Sequence, residues 1–438
     1  MKLSDWLWQD KVVAEEQARQ RRYQKVWDAY FGRLPKPLVV KPGKPDDNVA
    51  LNYVRLIIDA SVAFLFGQEP EFELLEGQES PAEEWLDACW RENKKMQLLQ
   101  KLGINGAACG HVYLKLAPAA QPGGYPRLIN LSPEYVTVIC DPDDIDLVWR
   151  YIIEYPARGK DGERLTVRQT VERDAGQTWT VTDEVSVNDG KWQVREAIVW
   201  PWGWAPILDC QNLPSPNEYY GIADVEEDVL ALNYSLNFTL SNLQRIVRYH
   251  AHPKTWGKGI TAKELSIGVD ETILLPNPAA ELHNLEMTTD LSSLLDLFAR
   301  LKDAMHETTR TPEVATGKLV DGTGQLSGVA LQILYQPLVQ KTNAKRLTYG
   351  ELLTECNRRL LDMAGYGPDN WTTLRWPEIL PKNALEERQV LLLDKQLGVS
   401  NDTLMTKADY DPEQEREKRA NDGEQLGEQL LTAFDQGQ

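Results

Sequence analysis

The sequence predicts an α+β protein, and three observations carry that prediction. Asp224–Arg248, with apolar residues in near-heptad spacing, and Thr288–Thr309, with Leu291, Leu294, Leu295, Phe298, Leu301 and Met305 at three- and four-residue spacing, have the period of a one-sided helix. Leu147–Tyr155, Arg164–Val171, Thr178–Glu184 and Lys191–Val199 read as strands with Gly and Asp at the turns between them, the pattern of an antiparallel meander. Helical stretches at 48–66 and 82–102 stand in the same region as those strands, so residues 25–220 read as one α+β domain.

The elements follow in chain order. Residues 4–31 form a helix, with Trp6, Leu7, Val13, Tyr23, Trp27 and Tyr30 set among Arg19, Arg21, Arg22 and Lys25. Both an amphipathic membrane helix and a helix packed on its own domain or a neighbour have this pattern, and packing is the favoured reading. A Pro-rich connector leads to Asn48–Phe66, where Leu51, Val54, Ile57, Ile58, Ser61, Phe64 and Leu65 share a face and Gly67 is expected as a left-handed cap. Pro70–Leu75 is a strand, Ala82–Leu102 one helix, and Gly110–Ala117 and Tyr135–Cys140 strands that precede the meander. Trp200, Trp202 and Trp204 alternate at strand spacing, read as domain packing in preference to an interface.

Asp224–Arg248 is expected to span about 35 Å. Val225, Val229, Leu232, Leu236, Leu240, Leu243 and Val247 form its apolar side, opposite Asn233, Ser235, Asn237, Ser241 and Asn242. Pro253 stops it, and 250–287 is a small module with strand-like pieces, LSIGV and ETILLP. Thr288–Thr309 is the returning helix, capped by Thr289 or Asp290. The segment 311–328 contains Gly317, Gly322, Gly324 and Gly328 and is expected to take several shapes. Val329–Met363 follows, with a kink expected at Pro337. A tryptophan-rich link then leads to helices over 383–438, broken at Gly398 and at Asp411-Pro412.

Composition bounds the function. A chain of 438 residues makes two to four domains. No apolar run reaches a membrane span, and the acidic N-terminus is not a secretory signal. The five cysteines, Cys89, Cys109, Cys140, Cys210 and Cys356, are odd in number, far apart and without a Cys-x-x-Cys pair, which predicts reduced thiols and no zinc. A net charge of −19 argues against tight nucleic-acid binding, since phosphate contacts need Lys and Arg, although an acidic wall would let a polymer slide past.

No catalytic motif is complete. Gly317-x4-Gly322-Thr323 lacks the lysine of a phosphate-binding loop, and His306-Glu307 starts like a zinc-protease helix but has Arg310 where the second histidine belongs. His250 and His252 have no further ligand nearby in sequence. Asp141, Asp143, Asp144 and Asp146 lack the glycine and distal glutamate of a calcium loop, and an acidic turn is the better reading. Lys254, Trp256 and Lys258 interleave basic and aromatic residues, suited to nucleic acid or, preferably, to partner docking. No catalytic residue, metal ligand or cofactor is assigned. The rival class is a metal-dependent nucleic-acid enzyme built on the many carboxylates.

The order of elements resembles a family. NYVRLIIDASVAFLFGQEP, SPEYVTVICDPDDIDLVWRYIIEY, SPNEYYGIADVEEDVLALNYSLNFTLSNL, LSGVALQILYQPLVQK and ADYDPEQEREKRA, in this order, resemble the portal proteins of tailed bacteriophages, of the siphovirus type. The resemblance implies an N-terminal arm (1–24), a wing (25–223 with a second part, 329–375), stem helices (224–249 and 288–310), a clip (250–287), a tunnel loop (311–328) and a crown (376–438). It implies a dodecameric ring at one capsid vertex of the virion, assembled in the host cytoplasm. Double-stranded DNA would be packaged through it by a terminase motor docked at the clip and later ejected. Neck or adaptor, major capsid and scaffolding proteins are the other implied partners. Lys318, Leu319, Val320, Asp321, Gly322, Thr323, Gly324, Gln325 and Leu326 would face the DNA, and a neck or baseplate ring component is a second alternative.

Overall fold

The computed structural model describes residues 3–74, 81–160, 162–174, 176, 178–188, 190–251, 254–258, 279, 281–285, 291–317, 328–380, 384–408 and 410–419. The chain divides into two compact units, Met1–Leu326 with Ile333–Pro377, and Ser327–Gln332 with Glu378–Gln438.

Helix α1 (Leu3–Tyr30) places Tyr23, Val26 and Ala29 in an apolar cluster with Val54, Ile57, Ile58 and Val62 of α2 (Tyr53–Phe66). The helix α2 begins later than its periodicity predicts. Asn52 caps it by accepting the Arg55 N–H, and residues 47–52 are not helical. At its other end Gly67 is right-handed, with φ −75°, and not the left-handed cap expected. Space and not φ demands glycine there: a Cβ would stand 2.1 Å from the Ala63 carbonyl oxygen.

The stretch 82–102, read as one helix, is divided between two, α3 (Pro81–Glu92) and α4 (Lys95–Cys109), with Lys94 left-handed at φ 55°. The break has a cause in Asn93, whose buried carboxamide donates to the Cys89 and Pro126 carbonyls and accepts the Leu128 N–H. Gly110, at φ 83°, turns α4 directly into β2 (His111–Ala117). That strand is the centre of a three-stranded antiparallel sheet, between β3 (Arg127–Leu131) and β9 (Ile207–Gln211). A short ribbon pairs β1 (Glu71–Leu74) with β12 (Thr372–Arg375).

The meander is present as expected. Strands β4 (Val136–Cys140), β5 (Val148–Arg158), β6 (Arg164–Arg173), β7 (Trp179–Val187) and β8 (Gln193–Val199) pair in sequence order, all antiparallel. Register places Tyr151, Val171 and Val181 side by side on the face that packs on Trp179, Trp200 and Tyr219. The other face carries cross-strand ion pairs, Arg150–Glu172 and Arg168–Glu154. Trp200, Trp202 and Trp204 follow β8 and are not on a strand. Their rings lie 4.8–5.8 Å apart, and the Trp204 indole N–H donates to Asp362 at 2.8 Å, which makes the group internal packing.

Two long helices leave and rejoin this body. Helix α5 (Glu227–Ala251) starts three residues after the predicted Asp224, and α6 (Ser292–Thr309) packs beside it. Leu291 stands at the cap position of α6 without a side-chain bond, and the predicted caps Thr289 and Asp290 lie outside the described residues. Between them β10 (Lys254–Lys258) and β11 (Glu281–Leu285) form an antiparallel ribbon. The pieces LSIGV and ETILLP lie outside the described residues.

The polar side of α5 is not solvated. Asn233, Asn237 and Ser241 are buried and hold the strap that precedes α2. Their side-chain oxygens accept the N–H groups of Tyr53, Leu51 and Val49 at 3.2, 2.7 and 2.9 Å. Beyond them Arg248 makes two bonds to the Asp47 carboxylate and Arg245 a third, and Arg248 holds that carboxyl below its usual range.

Helix α7 (Gly328–Met363) is unbroken across Pro337. Its Tyr349, Leu352, Leu353, Cys356 and Leu360 are buried at helical spacing in a cluster with α3, α4 and β2. In the second unit, α8 (Ala384–Gln396) and α9 (Asn401–Lys407) are separated at Gly398, as the glycine predicts, with φ 91°. Residues 412–419 are helical. All five cysteines carry free thiols, and no helix among the described residues is long and apolar enough to cross a membrane.

Candidate functional site at the meeting of the long helices

Five segments converge on one carboxylate. Asp224 precedes α5, and its backbone N–H donates to the Ala107 carbonyl at the end of α4. Its side chain is wholly buried between two ammonium groups one turn apart on α7, Lys341 at 3.1 Å and Lys345 at 2.5 Å. Lys345 also donates to the Ser61 hydroxyl of α2 at 2.9 Å. Lys341 donates to the Thr309 carbonyl, the last residue of α6, at 2.9 Å. Asn212 donates to Asp224 at 3.4 Å and accepts the Tyr349 hydroxyl at 3.2 Å. Gly106 makes room for that hydroxyl, since a Cβ there would stand 1.9 Å from it.

The electrostatics follow from burial. Loss of water raises the Asp224 carboxyl, but Lys341 and Lys345 together outweigh it and hold the group well below the carboxylate range. Burial lowers Lys345 to about 8, against the pull of Asp224 in the other direction. One buried carboxylate thus serves two lysines, and the junction carries excess positive charge. Breaking such a set by removing its anion is far costlier than the net contribution of the set.

The root of the 311–328 segment is fastened to the same place. Arg310 turns the chain in the left-handed conformation at φ 53°. His306 on α6 contacts the Thr311 carbonyl through Nδ1 at 2.7 Å; because a carbonyl only accepts, Nδ1 carries the proton. Lys302 pairs with Glu313, and the Tyr335 hydroxyl of α7 donates to the Val314 carbonyl at 3.2 Å. A 3-10 turn, Glu313–Thr316, ends at Gly317 with φ 87°. The expected DNA-facing residues, Lys318 to Leu326, lie outside the described residues.

The predicted docking trio falls on one strand. Lys254 begins β10 and Lys258 ends it. Trp256 is half-exposed, pairs with His283 in register, and stacks on its ring at 5.0 Å. Strand periodicity puts Trp256 and the exposed Lys258 on one face of the ribbon. Of the histidines weighed as ligands, His306 is buried in the contacts above and His252 lies outside the described residues. The four aspartates form a turn in which Asp141 and Asp144 accept the N–H groups of Asp143 and Asp146. Among the described residues no group of three or more His, Cys, Asp or Glu could hold a metal ion.

Sequence reasoning missed Asp224, Lys341 and Lys345. The available signal was two lysines four residues apart on the apolar side of a helix, with no acid within one turn to pair them.

Residues 9–429 match the family described as "Phage portal protein, SPP1 Gp6-like". No curated protein matches the chain. Among solved structures the fold is similar to a chain from the "Neck of empty GTA particle computed with C6 symmetry", with a TM-score of 0.51 and 14% identity over 82% of this chain and 88% of that one. At that identity the likeness concerns the fold. The family match runs through every element described above, from α1 to residues 412–419, and the chain therefore belongs to the SPP1 Gp6-like family of phage portal proteins.

Proposed function

We propose that this chain is the non-enzymatic subunit of a closed ring at one vertex of a phage head, and that double-stranded DNA passes along its axis during packaging and ejection. The observation that carries the reading is the pair α5 and α6, which leave and rejoin one body and have the β10–β11 ribbon between them. In this reading 224–249 and 288–310 are the stem, 250–287 the clip, and 25–223 with 329–375 the wing. Residues 1–24 are an arm and 376–438 the crown. The clip docks the terminase motor and later the neck proteins, and the wing meets capsid and scaffolding proteins. The segment 311–328 lines the channel. Apolar residues such as Leu319, Val320 and Leu326 make no strong phosphate bonds, so DNA slides past with small barriers.

Negative-stain imaging of the purified full-length chain tests the proposal. A ring with a central hole wide enough for B-form DNA is expected. A monodisperse monomer at micromolar concentration, or hydrolysis of DNA with Mg²⁺ by the pure chain, would overturn it.

A further inference from the structure

The sheet β4–β8 has two chemically opposite ends. At one end the β4–β5 turn, residues 141–147, carries Asp141, Asp143, Asp144 and Asp146 and no cation. Residues 142–147 are all exposed. Ile139, Ile145, Leu147 and Trp149 stand beside the aspartates at 39–44% exposure. Four large apolar side chains are thus exposed on one hairpin, Ile145 and Leu147 lining a pocket with Tyr151 and Trp179.

At the other end, about 33 Å away along ten-residue strands, the β5–β6 and β7–β8 turns carry Arg158, Lys160, Arg164 and Lys191. Asp161, Glu163 and Asp189 share those turns in sequence, so this end is mixed and net positive by one charge; the β4–β5 turn is wholly acidic, with Arg173 at the end of β6 beside it. It too has apolar side chains at the surface, Tyr155 and Val187, each 40% exposed.

A paired five-stranded sheet cannot fold its own ends together. A second copy can supply the complement, and a head-to-tail contact between unlike patches is the kind that closes into a ring. We propose that the acidic, apolar β4–β5 end of one copy docks on the basic end of the same sheet in its neighbour. The inference rests on the ring reading above. Apolar contact supplies the attraction, while exposed ion pairs contribute little each and fix the register.

The test is a charge swap in the full-length protein, read as the ring fraction by light scattering across a dilution series. Asp143→Lys with Asp146→Lys, and separately Arg158→Glu with Lys160→Glu, should each raise the concentration at which rings form by about tenfold or more. The two pairs combined should restore assembly. A second variant guards against misfolding: in a Cys140→Ser background, Asp143→Cys with Lys160→Cys should give a ladder of disulfide-linked multimers on a non-reducing gel, and neither single cysteine should. Wild-type rings with silent reversals, or reversals that disrupt without mutual rescue and without the ladder, overturn the contact while leaving the ring. A wild-type chain that forms no ring overturns the ring reading and the contact with it.

Discussion

The side-chain amide of Asn237 is bonded to both backbone polar groups of Leu51, accepting its N–H at 2.7 Å and donating to its carbonyl at 3.1 Å. Asn237 does for an isolated strap what a neighbouring strand does in a sheet. Asn237→Leu keeps the helix and approximates the volume but leaves both groups of the half-buried Leu51 without a protein partner. A buried group so left costs about 1–3 kcal/mol, and with water reaching the half-buried strap a loss of about 1–3 kcal/mol for the pair is expected. Hydrogen exchange should report it directly, as faster exchange at Val49–Tyr53 with the α3–α4 amides unchanged.

Asp224→Asn removes the anion from between Lys341 and Lys345. Two ammonium groups are then buried together, and destabilisation of about 3–5 kcal/mol is expected. Lys345→Met should cost much less, because Asp224 keeps Lys341 and an apolar chain fills the space. Thermal unfolding of both variants beside the wild type checks the order. If Asp224→Asn melted no earlier than Lys345→Met, the junction would not depend on its carboxylate.

The same junction predicts a pH dependence. Lys345 titrates near 8 in the folded chain against an ordinary value of 10.5, so between these values the unfolded chain binds more protons. Stability then rises with pH in that window, by roughly 3 kcal/mol in all. Asp224 acts in the same direction in an acid window: its depressed pKa contributes stability that is present above the ordinary carboxyl value of 3.8 and is lost as pH falls through the folded one. Wild type should therefore gain stability relative to Lys345→Met from pH 8 upward, measured by denaturant unfolding at a series of pH values. A constant difference between the two proteins across that range would show that Lys345 does not titrate there.

The β10–β11 ribbon gives a binding prediction. Trp256→Ala with Lys258→Glu removes a half-exposed ring and reverses a charge on one face. Terminase binding should fall by tenfold or more in a pull-down or by interferometry, with ring formation unchanged. Unchanged binding with intact rings would take this face out of the docking surface.

Periodic elements were legible, and relations across the chain were not. The meander declared itself through strand-like runs with Gly and Asp at the turns between them. The long helices did so through their apolar spacing. Strand β9 carries no alternation and β3 alternates over only three residues, and the β2 strand between them is covered on both faces. The break at Asn93 was hidden because it depends on a bond to Pro126, more than thirty residues on. Asn233, Asn237 and Ser241 read as an outward polar face because nothing local announces that residues 49–53 will lie on them. The Asp224 site joins residues more than one hundred positions apart, and periodicity has no access to that.

The strap on α5 works as a vernier. Four residues advance a helix by about 6.0 Å, while two residues advance an extended strand by about 6.6 Å. The two rulers coincide at one rung and slip by about 0.6 Å at each rung away from it. All three rungs stay within hydrogen-bond range, 2.7 Å at the central Asn237, 2.9 Å at Ser241 and 3.2 Å at Asn233. Short side chains can absorb one slip on either side and no more. At the next rung, Asp47, the helix no longer reaches with asparagine or serine, and the long arms of Arg245 and Arg248 take over, with a carboxylate in place of the backbone as their target. The mismatch between the two repeats thus fits a run of three rungs here, with Leu51 at its centre and arginines taking over beyond it.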